Sequence, residues 1–166
     1  MIPDRLPPME VAGRLDRLRA RLDAAACDAL VVTSMTNIGY LTGFAGSAGL
    51  LWVDETRAVL VTDGRYGEQA PDELHHAGVE AEVDIVGSDQ DAAVARLARG
   101  VPRIGLEART VVWAAQRRLA AVLDAGAVVP TDGLVEALRE VKDHGEVARI
   151  EAAAAIADSS LADVWP

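Results

Sequence analysis

The chain has 166 residues, enough for one domain with a proper core. Half of it is apolar (51%) but only 4% is aromatic, so the core must be built from Leu, Val, Ile and Ala. Its net charge of -10 opposes nucleic-acid binding, its single cysteine excludes an internal disulfide framework, and no apolar run reaches the length of a membrane span.

After Pro7 and Pro8, the residues Val11, Leu15, Leu18 and Leu22 recur at helical spacing, while Arg14, Arg17 and Arg21 lie largely off that stripe. This pattern predicts an amphipathic helix. ALVVT (29–33) reads as a buried strand. A glycine-rich stretch follows, with Gly39, Gly43, Gly46 and Gly49 inside eleven residues. GLLWV (49–53) and AVLVT (58–62) are strands joined by the polar turn DETR. Residues 66–77 read as a helix interrupted near Pro71, and VEAEVDIV (79–86) as a half-exposed strand whose polar face carries Glu80, Glu82 and Asp84. Residues 89–100 form a helix with acidic residues in its first turn and Gly100 just past its end. RIGLE (103–107), a helix over 110–126 and AVVP (127–130) add strand, helix and strand. Six strands among helices, one pair antiparallel, predict an α/β domain with a mixed sheet.

Asp143 and Glu146 have capping-box spacing, and Val147, Ile150, Ala154, Ala157, Leu161 and Val164 form an apolar helical stripe behind them. The stripe still runs at Trp165-Pro166. Two readings stay open: the chain is cut short, or this last helix packs back on the sheet.

The glycines do not form a phosphate site. A P-loop needs Lys followed by Ser or Thr after its last glycine, and Gly49 is followed by Leu50-Leu51. A dinucleotide fingerprint needs a helix after its glycines, whereas this stretch runs into a strand. The expectation is a tight, shaped connection from NIGYL into GLLWV, with the glycines as backbone devices.

Other chemistry is sparse. His75 and His76 are adjacent and point apart on a helix, with no carboxylate spaced to complete a metal site. His144 falls in an exposed first turn, and Ser47 lacks the G-x-S-x-G elbow. Cys27 reads as a small core residue. No complete catalytic constellation is present, and no metal ligand set.

Taken in order, NIGYLTGF, the Gly/Ser loop, the hairpin, TDGRYGEQA, IGLE and LREVKDHGEVARIEAAAAIA resemble the N-terminal domain of the creatinase and Xaa-Pro aminopeptidase (proline peptidase) family. The resemblance implies a ribonuclease H-like α/β domain over residues 1–140. It also implies that 141–166, with Lys142-Asp143, Glu146, Ile150 and Ala153, is the first helix of a pita-bread catalytic domain. That domain would carry two divalent ions (manganese, cobalt or zinc), held by ligands this chain lacks. The implied role is a non-catalytic scaffold of a cytoplasmic, homodimeric peptidase that removes a residue preceding proline. The domain would shape one wall of the substrate entrance. The loop Phe44–Ala48 would approach the partner subunit's site, and Asn37 would stand where some relatives carry Asp. Small residues at Ala45, Gly46 and Ala48 leave room for a peptide, which favours a peptidase over a creatinase. Entrance candidates are Asn37, Tyr40, Phe44, Gly46, Ser47 and Arg65. For Tyr40 and Phe44 a plain core role stays open, and for Arg65 a structural ion pair. The alternatives are a stand-alone peptide- or protein-binding module, and a relative acting on a non-peptide substrate such as creatine.

Overall fold

The computed structural model describes residues 6–87, 89–123 and 128–165. Two compact units result: Val11–Arg139, and the stretch before Val11 together with the stretch after Arg139.

Within the larger unit six strands form one sheet in the order β4-β3-β2-β1-β5-β6. They are β1 (Ala29–Val32), β2 (Leu50–Asp54), β3 (Ala58–Asp63), β4 (Glu82–Val86), β5 (Ile104–Glu107) and β6 (Val128–Thr131). β2 runs antiparallel to both β1 and β3, and the pairs β1–β5, β5–β6 and β3–β4 are parallel. One sheet edge therefore gathers the C-terminal ends of five strands and the start of β2. The mixed six-stranded α/β sheet is the one the strand pattern predicts.

The helices are α1 (Arg14–Leu22), α2 (Met35–Thr42), α3 (Gln69–His76), α4 (Gln90–Leu97), α5 (Trp113–Val122) and α6 (Leu134–Arg139). The register sorts side chains onto two faces. Leu30 faces Val53, and Leu51 faces Leu60; this layer is covered by Leu18 of α1, Leu41 of α2, Leu74 of α3 and Val135 of α6. Val31, Trp52 and Val59 point the other way, against Ala93 and Val94 of α4 and Leu119 of α5. Trp52 and most of the aliphatic strand residues are fully buried, each contributing about 1.5–3 kcal/mol by removal from water. Gly105 belongs to the first face: a Cβ there would meet Thr131 Cγ2 at 2.8 Å and Leu30 Cδ1 at 2.9 Å, so only glycine fits between them.

The structure changes several expected elements. The NIGYL segment, to which the spacing assigns no element, lies within α2, and the tight connection into β2 follows it. Ser34 caps α2 by accepting the Asn37 N–H, and Gly43 ends it at φ 78. Pro71 does not interrupt α3, because it lies in the first turn, where no intrahelical N–H is required. The 66–77 helix instead begins as a separate 3-10 turn, Gly64–Tyr66. The strand expected over 79–86 starts at Glu82, the helix expected from 110 starts at Trp113, and α6 had no predicted counterpart. Residues 124–127, the end of that helix and the start of AVVP, lie outside the described residues.

The DETR turn is organised by Asp54. Its carboxylate accepts bonds from Trp52 Nε1 (2.8 Å), the Thr56 N–H (3.0 Å), the Arg57 N–H (2.9 Å) and Arg57 Nε (3.0 Å). Burial alone would raise its pKa, but the bonds from Trp52, Arg57 and Thr56 outweigh burial and hold it well below the usual carboxylate range. A depressed folded-state pKa contributes stability that is present above the unfolded value and lost as pH falls. Chemical denaturation of wild type and Asp54→Asn across pH should thus show the wild-type advantage at neutral pH shrinking below about pH 4. An advantage unchanged by acid would contradict the assignment.

In the smaller unit, α7 (His144–Val164) opens with the expected capping box: Asp143 accepts the Glu146 N–H (2.8 Å) and Glu146 accepts the Asp143 N–H (3.0 Å). Arg149 Nη1 donates to the Pro7 carbonyl at 2.6 Å, and the Pro8 backbone occupies the space where Gly145 would carry a side chain. The predicted apolar stripe is exposed, with Ile150 at 55% and Leu161 at 62%.

Candidate functional site: one edge of the sheet

In open α/β sheets ligands bind beyond the C-terminal ends of the strands, where neighbouring connections diverge. That divergence falls between β1, which leads toward β2, and β5, which leads toward β6. Its occupant is the Glu107 carboxylate, 7% exposed at the end of β5. Oε2 accepts from the Thr33 N–H (2.6 Å), Thr33 Oγ1 (3.1 Å), the Ser34 N–H (2.9 Å) and Thr110 Oγ1 (3.3 Å). Oε1 accepts from Asn37 Nδ2 at 2.6 Å. The charge thereby sits at the N-terminus of α2, where the helix dipole favours an anion.

Asn37 is fully buried and its amide is used on every side. Nδ2 donates to Glu107 and to Glu136 Oε1 (2.7 Å), while Oδ1 accepts from Arg139 Nη1 (3.1 Å). The side chain ties α2 and α6 to the sheet and lines no surface. The cavity beside it, bounded by Leu30, Glu107, Thr110, Thr131 and Glu136, holds about 10 Å³, room for about one water. The switch point is filled by the protein's own side chains.

Farther along the same edge, the loop after α2 and the Asp63-Gly64-Arg65-Tyr66 turn meet. Phe44 is 2% exposed and its ring meets that of Tyr66 edge-on at 5.3 Å. The Phe44 ring occupies the space where Gly46 would carry a Cβ, so glycine lets the loop fold down onto the ring. Ser47 donates its N–H to the Tyr66 hydroxyl (3.0 Å), and the two hydroxyls are 2.8 Å apart. The Ala45 N–H is held by Glu73 Oε2 at 2.8 Å, and the Ala48 carbonyl accepts from Thr62 Oγ1 at 2.7 Å. Bonds from the Ser47 hydroxyl and N–H lower the Tyr66 pKa below the usual phenol value.

Arg65 is clasped by Asp63 through Nε (2.9 Å) and Nη2 (2.8 Å), and it lies over the Tyr66 ring at 5.2 Å. The pair is outward-facing, with the Arg65 side chain 66% exposed, and such pairs contribute little to stability. The Arg65 bonds hold the Asp63 carboxyl below its ordinary value. Tyr40 belongs elsewhere: Arg14 stacks on its ring at 4.0 Å, and its hydroxyl donates to the Leu138 carbonyl at 3.1 Å.

The six sequence candidates thus separate. Phe44, Gly46, Ser47 and Arg65 converge on one loop cluster, with Phe44 beneath it. Asn37 and Tyr40 act in the packing of α2. Sequence reasoning missed Tyr66, Glu73, Glu107 and Glu136, whose partners are distant in the chain. Among the described residues no group of three or more His, Cys, Asp or Glu is arranged to hold a metal ion, and no helix is long and apolar enough to cross a membrane.

Comparison with known proteins agrees with this architecture. The family model for the creatinase/prolidase N-terminal domain matches residues 14–141. An uncharacterised peptidase of Bacillus subtilis, YqhT, is 32% identical over 156 residues, covering 89% of this chain and 41% of its own length. Among solved structures, an Xaa-Pro dipeptidase from Bacillus anthracis is similar at 29% identity and TM-score 0.76, over 82% of this chain and 38% of that one. The N-terminal domain of the cytoplasmic peptidase PepQ from Mycobacterium tuberculosis is similar at 33% identity and TM-score 0.66, over 76% of this chain and 98% of that one. The chain spans about two fifths of the B. subtilis relative's length, and with its sheet, its capped α2 and its loop cluster it belongs to the creatinase/prolidase N-terminal domain family.

Proposed function

We propose that these residues form the non-catalytic N-terminal domain of a longer, metal-dependent, cytoplasmic Xaa-Pro peptidase, one that releases a residue preceding proline. The observation that carries the reading is family membership over residues 14–141. The loop cluster supports it, since Ala45 and Ser47 are exposed on a loop held from below and from the side, as a wall beside a peptide requires. The wall is read as Phe44–Ala48 with Arg65 at its rim, while Asn37 and Tyr40 position α2 behind it.

In this reading no reaction step falls to this chain's own residues. The two divalent ions, which would supply a bound hydroxide and polarise the scissile carbonyl, are assigned to the catalytic domain that 141–166 would open. The domain is also proposed to pair two copies. The apolar groove between α5 and β6, about 550 Å³ beside the exposed Trp113, is a surface a second copy would cover.

The test is to purify the longer protein, load it with manganese or cobalt, and assay Xaa-Pro peptides while measuring its mass in solution. Proline-dependent cleavage by a dimer is expected. A fully metal-loaded protein that leaves every Xaa-Pro peptide intact would remove the reading, and cleavage of creatine in its place would favour the non-peptide alternative.

A further inference from the structure

We propose that Tyr66 is the positioning residue of this wall: its hydroxyl fixes Ser47, and through Ser47 the shape that the loop presents to substrate. The inference rests on the reading of Phe44–Ala48 as a substrate wall and adds the residue that sets it.

The loop is anchored at its ends by groups that do not shape its tip. Glu73 holds the Ala45 N–H and Thr62 holds the Ala48 carbonyl. Between them the backbone must pass over the Phe44 ring, and Gly46 permits this without fixing it. Glycine leaves many backbone conformations open. The bonds from the tip itself run to one atom, Tyr66 Oη, which accepts the Ser47 N–H and shares a hydrogen with Ser47 Oγ.

Tyr66 is in turn contacted by two side chains. Phe44 meets its ring at 5.3 Å, and the Arg65 guanidinium, steadied by Asp63, lies 5.2 Å from its centroid. The phenol is therefore braced chiefly by Phe44, and its hydroxyl pins the tip. With this pin in place the wall offers a methyl group, a hydroxyl and backbone at Ala45, Ser47 and Ala48. That surface leaves room for the side chain of the residue before proline, with the exposed Arg65 at its rim. Without the pin, Ser47 is free to swing, and the wall no longer has one shape to bind against.

The experiment is steady-state kinetics on the longer, metal-loaded protein with Xaa-Pro peptides that differ in the first residue. Tyr66→Phe keeps the ring contacts and deletes the hydroxyl. It should raise KM about three- to tenfold and narrow the differences among first residues, with kcat within about twofold of wild type, as for loss of one or two hydrogen bonds in binding. Far-ultraviolet circular dichroism and the thermal midpoint report whether the fold is kept. Ser47→Ala, at an exposed position, keeps the N–H bond and should raise KM about twofold, which provides the test if Tyr66→Phe folds poorly. Ala45→Trp fills the wall directly. If Ala45→Trp raises KM while Tyr66→Phe and Ser47→Ala leave it unchanged, the wall stands and the Tyr66 proposal is overturned. If none of the three alters KM, the wall and the proposal are both overturned.

Discussion

Glu107→Ala should lower folding stability by about 2–5 kcal/mol, since several buried neutral donors lose their acceptor at about 1–3 kcal/mol each and some can find other partners. The loss would be read as a fall in the urea midpoint at constant slope. The Thr33 and Ser34 N–H groups and the Asn37 amide all point at this carboxylate, so removing it leaves several donors facing a small void. The Thr33 and Thr110 hydroxyls can rotate to other partners, which limits the damage. Glu107→Gln keeps the shape but supplies one oxygen acceptor in place of two, and an intermediate loss is expected. A loss below about 1 kcal/mol for the alanine variant would mean that the network is ornamental and that water replaces it freely.

Phe44→Ala is expected to cost about 3–5 kcal/mol, as other buried aromatic truncations do. Phe44→Leu, which keeps most of the volume, should cost clearly less. The two substitutions separate packing from loop support. Phe44 is both a core side chain and the surface on which Gly46 rests, and it also braces Tyr66 edge-on. Amide hydrogen exchange should show residues 45–48 losing protection in both variants, beyond what the global stability change explains. If exchange in the loop tracks global stability alone, Phe44 is only filler.

Much of the fold was legible because apolar, β-branched runs such as ALVV and AVLVT have few alternatives to a buried strand. The caps were legible where both partners lie within one turn, as with Asp143 and Glu146. α2 was not. It has only eight residues, Asn37 and Gly39 among them are poor helix formers, and the glycines around it suggest a loop. Its markers were present in Ser34, three residues before Asn37, and in Gly43 at the far end. α6 is shorter still, and only the Val135–Leu138 spacing announces it.

The candidate site was half legible. Ser47 and Arg65 stand out because they sit among glycines and beside a strand end. Glu107 does not, because all its donors but Thr110 lie seventy or more residues earlier, and little in its local sequence distinguishes it from a solvated strand-end carboxylate. Family resemblance makes Asn37 an entrance candidate, whereas its burial and its bonds to Glu136 and Arg139 put it in the joint between α2 and α6. Tyr66 carries no local signal either, since its partner Ser47 lies nineteen residues upstream.

The account depends on the separation of scaffold from chemistry, and one measurement on the 166-residue chain tests that separation. The purified chain, incubated with excess manganese and then gel-filtered, would be assayed both for retained metal and for proline release from an Xaa-Pro peptide. The account predicts no stoichiometric metal and no release above the buffer rate. One or more tightly retained ions per chain, or proline release that titrates with the amount of chain, would contradict it.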